Sequence, residues 1–306
     1  MHTVKVGIGL PNFGDTIDRI SAEVIAQAIE ETGFDGVWVT DHILIPAEIR
    51  SAYPYSSDGR FFQPPDGTWY EPLAVLAYLA GVTHRLRLGV GVCVLPLREP
   101  RLLSQQLAAI DRLSGGRLVL AAGTGWLAEE FDALEIPFSD RRERLTASVR
   151  MLRALWEGSA GPGTFGPFKL DQRVLSRPTP LRGCIPLLHG GSSKRALKWV
   201  AEHADGWYGA IGVPTDDDVQ WVARVRSDLG RFARALGRDE GELVMALRIA
   251  VSARGFSEEQ LARRLSALAR AGVTEFTIDF GWKNVDQGRL VLERLRRTVR
   301  SVGWVI

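Results

Sequence analysis

The sequence predicts a (β/α)8 TIM barrel with insertions in its loops. Three observations carry that prediction. Short β-branched or apolar runs alternate with segments of helical periodicity along the whole chain; eight such pairs can be counted; and glycine or polar residues gather just after the apolar runs. Alternation implies parallel strands covered by helices, and eight units favour closure. A doubly wound open sheet is the competing arrangement, but the G-x-G-x-x-G pattern expected after its first strand is absent.

Residues 4–10 (VKVGIGL) form the first strand, stopped by Pro11, Asn12, Phe13 and Gly14. Ile20, Val24 and Ala28, flanked by Ile25 and Ile29, set one helix over residues 18–32, closed by Gly33. Residues 36–40 make a second strand that delivers Asp41 and His42 at its C-terminal end. Residues 46–69 lack periodicity and are rich in Pro, Gly, Ser and aromatics, as expected of an active-site lid loop. A helix over 71–81 and an apolar strand over 85–95 follow, and Gly91 inside that strand marks a bulge or a close approach of a ligand. After a helix over 101–113, residues 118–122 form the fourth strand, which runs into Gly123, Thr124, Gly125 and Trp126.

Ser139 or Asp140 caps the next helix, whose apolar stripe is Leu145, Val149, Leu152 and Trp156. Residues 158–180 are rich in Gly and Pro, carry one strand-like piece at 165–170, and are expected to be an insertion. The fifth strand, 184–189, ends at His189, Gly190, Gly191 and Ser192. The remaining units pair strands 206–210, 243–251 and 275–280 with helices over 215–236, from the Ser257 cap to Gly272, and along Leu290, Leu292, Leu295 and Val299.

In a barrel, chemistry sits at the C-terminal ends of the strands. The residues there include Asn12, Asp41, His42, the Gly123–Trp126 turn, the His189–Ser192 turn, Trp207, Tyr208, Arg248 and Asp279. His42 can transfer protons or simply tie a loop down by hydrogen bonds. The Gly190–Ser193 turn can offer backbone N–H groups to an anion at a helix start, or be a tight turn with a serine cap. The Gly123–Trp126 turn can bring backbone against a flat ring with Trp126 as a wall, or bend so that Trp126 enters the core. Glu129 and Glu130 can act as acid–base groups or favour a helix N-terminus; an ion pair from Glu130 to Arg141 or Arg142 is the preferred reading. Asn12, Trp69 and Trp207 are expected to line a substrate pocket.

The bulk composition excludes several classes. With 38 Lys and Arg against 36 Asp and Glu, the net charge of +2 gives no electrostatic case for nucleic acid. The five histidines form neither an H-x-H nor an H-E-x-x-H pair, so no metal is expected, and no G-x-S-x-G elbow supplies a serine nucleophile. The two cysteines, Cys93 and Cys184, lie in apolar runs and are expected as buried thiols in a reducing compartment. No run of eighteen apolar residues and no leader-like N-terminus occur, which makes a cytoplasmic protein the expectation.

The segments TDHI (residues 40–43), LGVGVCVLPLREP (88–100), LSGGRLVLAAGTGWLAEEF (113–131), IPFSDRRERL (136–145), HGGSSKRAL (189–197) and ADGWY (204–208) occur in this order. On them the chain resembles the luciferase-like monooxygenases, the bacterial luciferase superfamily, and within it most closely the F-420-dependent oxidoreductase subgroup. The likeness spans essentially all of residues 1–306 and implies a single barrel domain. It implies that a tricyclic ring lies in the barrel mouth, backed by a bulge at Gly91 and Val92, and often by a non-proline cis peptide there. Gly123, Thr124, Gly125 and Trp126 would flank the cofactor, and His189, Gly190, Gly191 and Ser192 would take its phosphate end. Asp41 and His42 would sit beside the ring as the catalytic pair, with His42 moving the proton.

Some sugar-phosphate and alcohol dehydrogenases of the superfamily carry glutamate straight after the Gly-Thr-Gly turn. Trp126 stands there in this chain, so their substrate chemistry does not transfer. The implied function is hydride transfer between coenzyme F-420, a deazaflavin, and a small organic substrate. The alternatives are an FMN-dependent monooxygenase fed with reduced flavin by a separate reductase, and a non-catalytic flavin-binding barrel. Members of the superfamily are usually homodimers, which makes a homodimer the expected assembly.

Overall fold

The structure is a computed structural model that describes residues 4–56, 58–64, 66–252 and 255–306. Eight parallel strands close into a barrel: β1 (Lys5–Gly9), β2 (Gly36–Val39), β3 (Arg87–Val94), β4 (Leu118–Gly123), β9 (Leu187–Gly190), β10 (Gly206–Ala210), β11 (Val244–Ala250) and β12 (Glu275–Asp279). They pair in chain order around the ring, and β12 returns to β1 through Lys5–Glu275 and Ile8–Ile278. Between β4 and β9 the chain makes two hairpins outside the barrel. The strands β5 (Ser159–Ala160) and β8 (Val174–Leu175) form one, and β6 (Gly163–Phe165) and β7 (Phe168–Leu170) the other. The single strand-like piece read at 165–170 is therefore a turn plus one strand of a hairpin. Gly166 at its tip has φ of +55°, which reverses the chain between Phe165 and Phe168.

The outer layer is helical: α1 (Thr16–Ile20), α2 (Ala22–Thr32), α3 (Pro72–Val82), α4 (Pro100–Leu113), α5 (Ala128–Ala133), α6 (Arg141–Trp156), α7 (Lys194–His203), α8 (Asp216–Ala235), α9 (Glu258–Arg270) and α10 (Val285–Ser301). Several departures from the sequence reading have local causes. The helix expected over 18–32 is broken at Ser21, whose φ of +74° lies outside the helical region. Neither Ser139 nor Asp140 caps α6 with its side chain; the Ser139 hydroxyl donates to Asp140 instead. Leu290 is exposed on α10, while Leu292, Leu295 and Val299 are buried. Cys184 is exposed, because β9 begins only at Leu187, whereas Cys93 is buried in β3.

The period-two alternation of each strand sorts residues between two cores. Outward residues such as Ile8, Val37, Leu88, Leu120, Leu247 and Ile278 pack under the helices. Inward residues form a smaller cluster of Trp38, Val119, Ala121, Leu188, Tyr208 and Ala246. At the N-terminal end, Glu275 accepts ion pairs from Lys5 at 3.3 Å and Arg87 at 2.7 Å, which closes the bottom with matched charge. Trp38 lies above, and Tyr208 packs on it with ring centroids 5.0 Å apart.

Two rings of this size fit only because the neighbouring inward positions have no side chain. A Cβ on Gly89 would sit 2.3 Å from the Trp38 ring, and one on Gly91 2.6 Å from that of Tyr208. β3 slips register against β4 between Gly91 and Cys93, and the Gly91–Val92 peptide is cis. The Gly89 packing gives a test. Gly89→Ala overpacks the barrel floor and should cost about 1–3 kcal/mol of stability in urea unfolding; an unchanged midpoint would refute the packing described.

Candidate active site

The floor of the mouth is set by what the last inward positions carry. Gly9 on β1, Gly91 on β3, Gly123 on β4 and Gly190 on β9 are all glycine and all turned inward. Val92 fills part of the space, and a Cβ on Gly123 would come within 2.5 Å of it. On the opposite side Arg248 donates from Nε and Nη2 to the Asp279 carboxylate at 2.5 and 2.9 Å. Its Nη1 donates to the carbonyl of Gly91 at 2.8 Å, so one guanidinium ties β11 and β12 to the β3 bulge. A Cβ on Gly9 would collide with Asp279, so glycine there gives the pair its room. The floor of the mouth is thus backbone, one aliphatic side chain and a neutralised ion pair.

One wall is acidic and aromatic. His42 and Glu130 are 8% and 1% exposed, and His42 Nδ1 lies 2.8 Å from Glu130 Oε2. The other oxygen of Glu130 accepts the N–H groups of Ile43 and Leu44, at 2.7 and 3.2 Å. Glu129, its neighbour on α5, accepts the N–H groups of Arg50 and Ser51 at 2.9 and 3.0 Å. Two consecutive carboxylates therefore hold both ends of the first stretch of the long loop. Beyond that stretch Tyr53, Phe61, Phe62 and Trp69 pack with Phe13 and Trp126 into one aromatic cluster. The His42 ring meets Trp69, Phe61 and Trp126 edge-on, with centroids 4.8, 5.4 and 6.1 Å away. Burial pushes the Tyr53 phenol up to about 12, so it remains a neutral donor at physiological pH.

The structure therefore brings together His42, Trp69, Gly91, Val92, Gly123 and Trp126, with Thr124 and Gly125 in the turn between the last two. Gly125 has φ of +81°, and a Cβ there would strike Phe131 and Val94, so the turn depends on glycine. Gly190, Gly191 and Ser192 lead into α7, where the Ser193 hydroxyl caps the helix by accepting from Ala196 N–H at 3.2 Å.

Four sequence assignments need correction. Asp41 does not face the mouth as a proton-transfer or cofactor group. Its carboxylate accepts from Val94 N–H at 2.8 Å and from Arg98 Nη2 at 2.6 Å, joining the ends of β2 and β3. Asn12 is 0% exposed and its amide is consumed by Thr40 and Tyr70, so it offers a substrate nothing. Trp207 alternates outward from its inward neighbour Tyr208, packs on Trp221 of α8, and donates its indole N–H to Gly191 O at 3.0 Å. His189 likewise points out of the barrel, against Trp199 of α7, with Nδ1 2.9 Å from Ala122 O.

Glu130 was the residue whose partner the sequence misassigned: it meets His42 rather than Arg141 or Arg142. Arg98 was missed, and Arg248 with Asp279 was noted only as standing at strand ends. The inward parity of Ala246 on β11 and of Thr277 on β12 places the last two. Among the described residues, no group of three or more His, Cys, Asp or Glu is arranged to hold a metal.

Residues 13–296 match the family described as luciferase-like monooxygenase. A Mycobacterium tuberculosis protein of uncharacterized role is 29% identical over 287 residues, covering 92% of this chain and 94% of its own. The 5,10-methylenetetrahydromethanopterin reductase of Archaeoglobus fulgidus is 25% identical over 302 residues, covering 98% of this chain and 80% of its own. Among solved structures, an F420-dependent secondary alcohol dehydrogenase superposes with a TM-score of 0.77 at 16% identity, covering 98% and 99% of the two chains. That last likeness shows the shared fold.

Two outcomes test the corrected placements. Burial drives the His189 pKa down to about 4, with the Ala122 carbonyl opposing. The unfolded chain therefore binds a proton that the native one refuses, and stability is complete above about pH 6.5 and lost as pH falls toward 4. His189→Leu should remove a component of acid destabilisation on the order of 3 kcal/mol over that window; an identical pH–stability curve would contradict it. Asp41→Ala leaves Arg98 with only Glu71, at 2.9 Å, and orphans the Val94 N–H, and should cost about 1–3 kcal/mol in denaturant unfolding. A loss below about 1 kcal/mol would mean that the pair is not a structural tie.

Proposed function

Because the chain belongs to the luciferase-like monooxygenase family of enzymes, we propose that it transfers a hydride between coenzyme F-420 and a small organic substrate. The observation that carries this reading is the mouth itself. Glycine at four inward positions leaves a floor of backbone, Val92, Tyr208 and the Asp279 carboxylate that suits the face of a planar ring, and an imidazole stands beside the turn that follows β4. When bound, F-420 supplies a two-electron hydride carrier, because carbon replaces the flavin N5 that, with its neighbouring carbons, lets a reduced flavin react with oxygen.

Gly91 and Val92 would back the ring, Gly123, Thr124, Gly125 and Trp126 would flank it, and Gly190, Gly191 and Ser192 before α7 would take the phosphate. Whichever way the hydride moves between carbon centres, a substrate proton moves too, and His42 is the group placed to carry it. The aromatic cluster of Tyr53, Phe61, Trp69 and Trp126 suits an apolar or aromatic substrate wall.

The same reading makes residues 46–69 the lid, residues 158–180 an insertion on a single barrel domain, and the enzyme a cytoplasmic homodimer. No helix among the described residues is long and apolar enough to cross a membrane. The second reading is an FMN-dependent monooxygenase supplied with reduced flavin by a separate reductase. It is favoured by the family's own description as monooxygenases.

A titration of the purified protein with F-420 and with FMN, each oxidised and reduced, separates the two. The proposal expects F-420 to bind and FMN to be ignored; the opposite preference would replace hydride transfer with oxygen chemistry. His42→Ala is expected to slow F-420-dependent turnover of small apolar or aromatic substrates about 100- to 10,000-fold, with cofactor affinity nearly unchanged. Wild-type rates in that variant would remove His42 from the mechanism.

A further inference from the structure

We propose that Glu130 is a positioning residue that sets the tautomer of His42 and ties it to the root of the lid. The inference rests on the reading of His42 as the proton carrier. It begins with hydrogen-bond accounting at a carboxylate that is 1% exposed. One oxygen, Oε1, is committed to two backbone N–H donors, Ile43 at 2.7 Å and Leu44 at 3.2 Å. The other, Oε2, faces His42 Nδ1 at 2.8 Å. An ionised carboxylate only accepts, so the neutral imidazole must carry its proton on Nδ1. Nε2 is then left with its lone pair, and no described residue hydrogen-bonds it.

The rest of the ring's surroundings cannot set the tautomer. Trp69, Phe61 and Trp126 meet it with ring edges or faces. Asp41, the adjacent acid, is occupied by Val94 N–H and Arg98. Glu130 is therefore the one charged side chain in hydrogen-bond contact with His42 among the described residues. Since Ile43 and Leu44 begin the long loop, the carboxylate that orients the base also fixes where that loop starts. A proton acceptor is thereby presented to the mouth only while the lid root is docked.

The chemistry of the Gln variant makes this testable without cofactor or substrate. In Glu130→Gln the two backbone N–H groups still require an oxygen, so the amide oxygen takes the Oε1 place and the NH2 turns toward Nδ1. An NH2 donates, so His42 must accept at Nδ1 and move its proton to Nε2. The experiment is 15N-detected histidine NMR of the intact protein at the alkaline limit of titration, with the His42 signals assigned from the spectrum of His42→Ala.

The proposal expects Nδ1–H in wild type and Nε2–H in Glu130→Gln. Amide exchange at Ile43 and Leu44 should be preserved in the Gln variant and accelerated about tenfold or more in Glu130→Ala. Nε2–H in the wild type, or the same tautomer in wild type and Glu130→Gln, overturns the assignment of the tautomer to Glu130. Unchanged exchange in Glu130→Ala overturns the link to the lid. None of these outcomes depends on whether His42→Ala retains activity, so the failure of the functional reading remains a separate result.

Discussion

Everything in this molecule depends on how the closed barrel fills its interior. Eight parallel strands enclose a cylinder that side chains must fill. The chain fills it with two large aromatics, Trp38 and Tyr208, and a charged plug of Lys5, Arg87 and Glu275 beneath them. Because two rings occupy the space that several aliphatic side chains would otherwise share, Gly89 and Gly91 must be bare. The same economy of side chains continues upward to Gly9, Gly123 and Gly190, where Asp279 and Val92 take the room a Cβ would need. The packing of the floor and the bare glycines above it are one constraint.

The second theme is that charges around the mouth are matched in contact. Asp41 meets Arg98, Glu130 meets His42, and Asp279 meets Arg248. Removing such groups from water is costly unless each finds a partner and further hydrogen bonds. Each pair here also takes backbone groups: Val94 N–H, the Ile43 and Leu44 N–H groups, and Gly91 O. The pairs are thereby staples between successive strand ends and loops, and they convert separate strand termini into one rigid rim. His42 differs from the other members: among the described residues, none hydrogen-bonds its Nε2.

Much of the fold was legible in the sequence, and the reason is physical. Runs such as 87–94 and 118–123 are apolar on both faces because a barrel strand is buried on both, and helices announce themselves by period and by glycine at their ends. What failed were local conformations and facing. Nothing about Ser21 signals a residue at positive φ, so one helix was read where there are two. Asn12, His189 and Trp207 were assigned to the mouth by their nearness to strand ends. Strand parity, which sends His189 and Trp207 outward, was the signal that would have excluded those two. The partnership of Glu130 with His42 spans 88 positions and could come only from the folded chain. For the same reason Asp41 was read as chemistry when its carboxylate is a tie.

The central claim, that the glycine-lined mouth holds a flat cofactor against Val92 with His42 at its edge, is most directly tested by a crystal structure of the protein with F-420 bound. The account predicts the deazaflavin ring stacked over the Gly91–Val92 bulge, its phosphate near Gly191 and Ser192, and His42 Nε2 facing the ring's reactive carbon. A ring bound elsewhere, or His42 turned away with Nε2 toward Glu130, would contradict it.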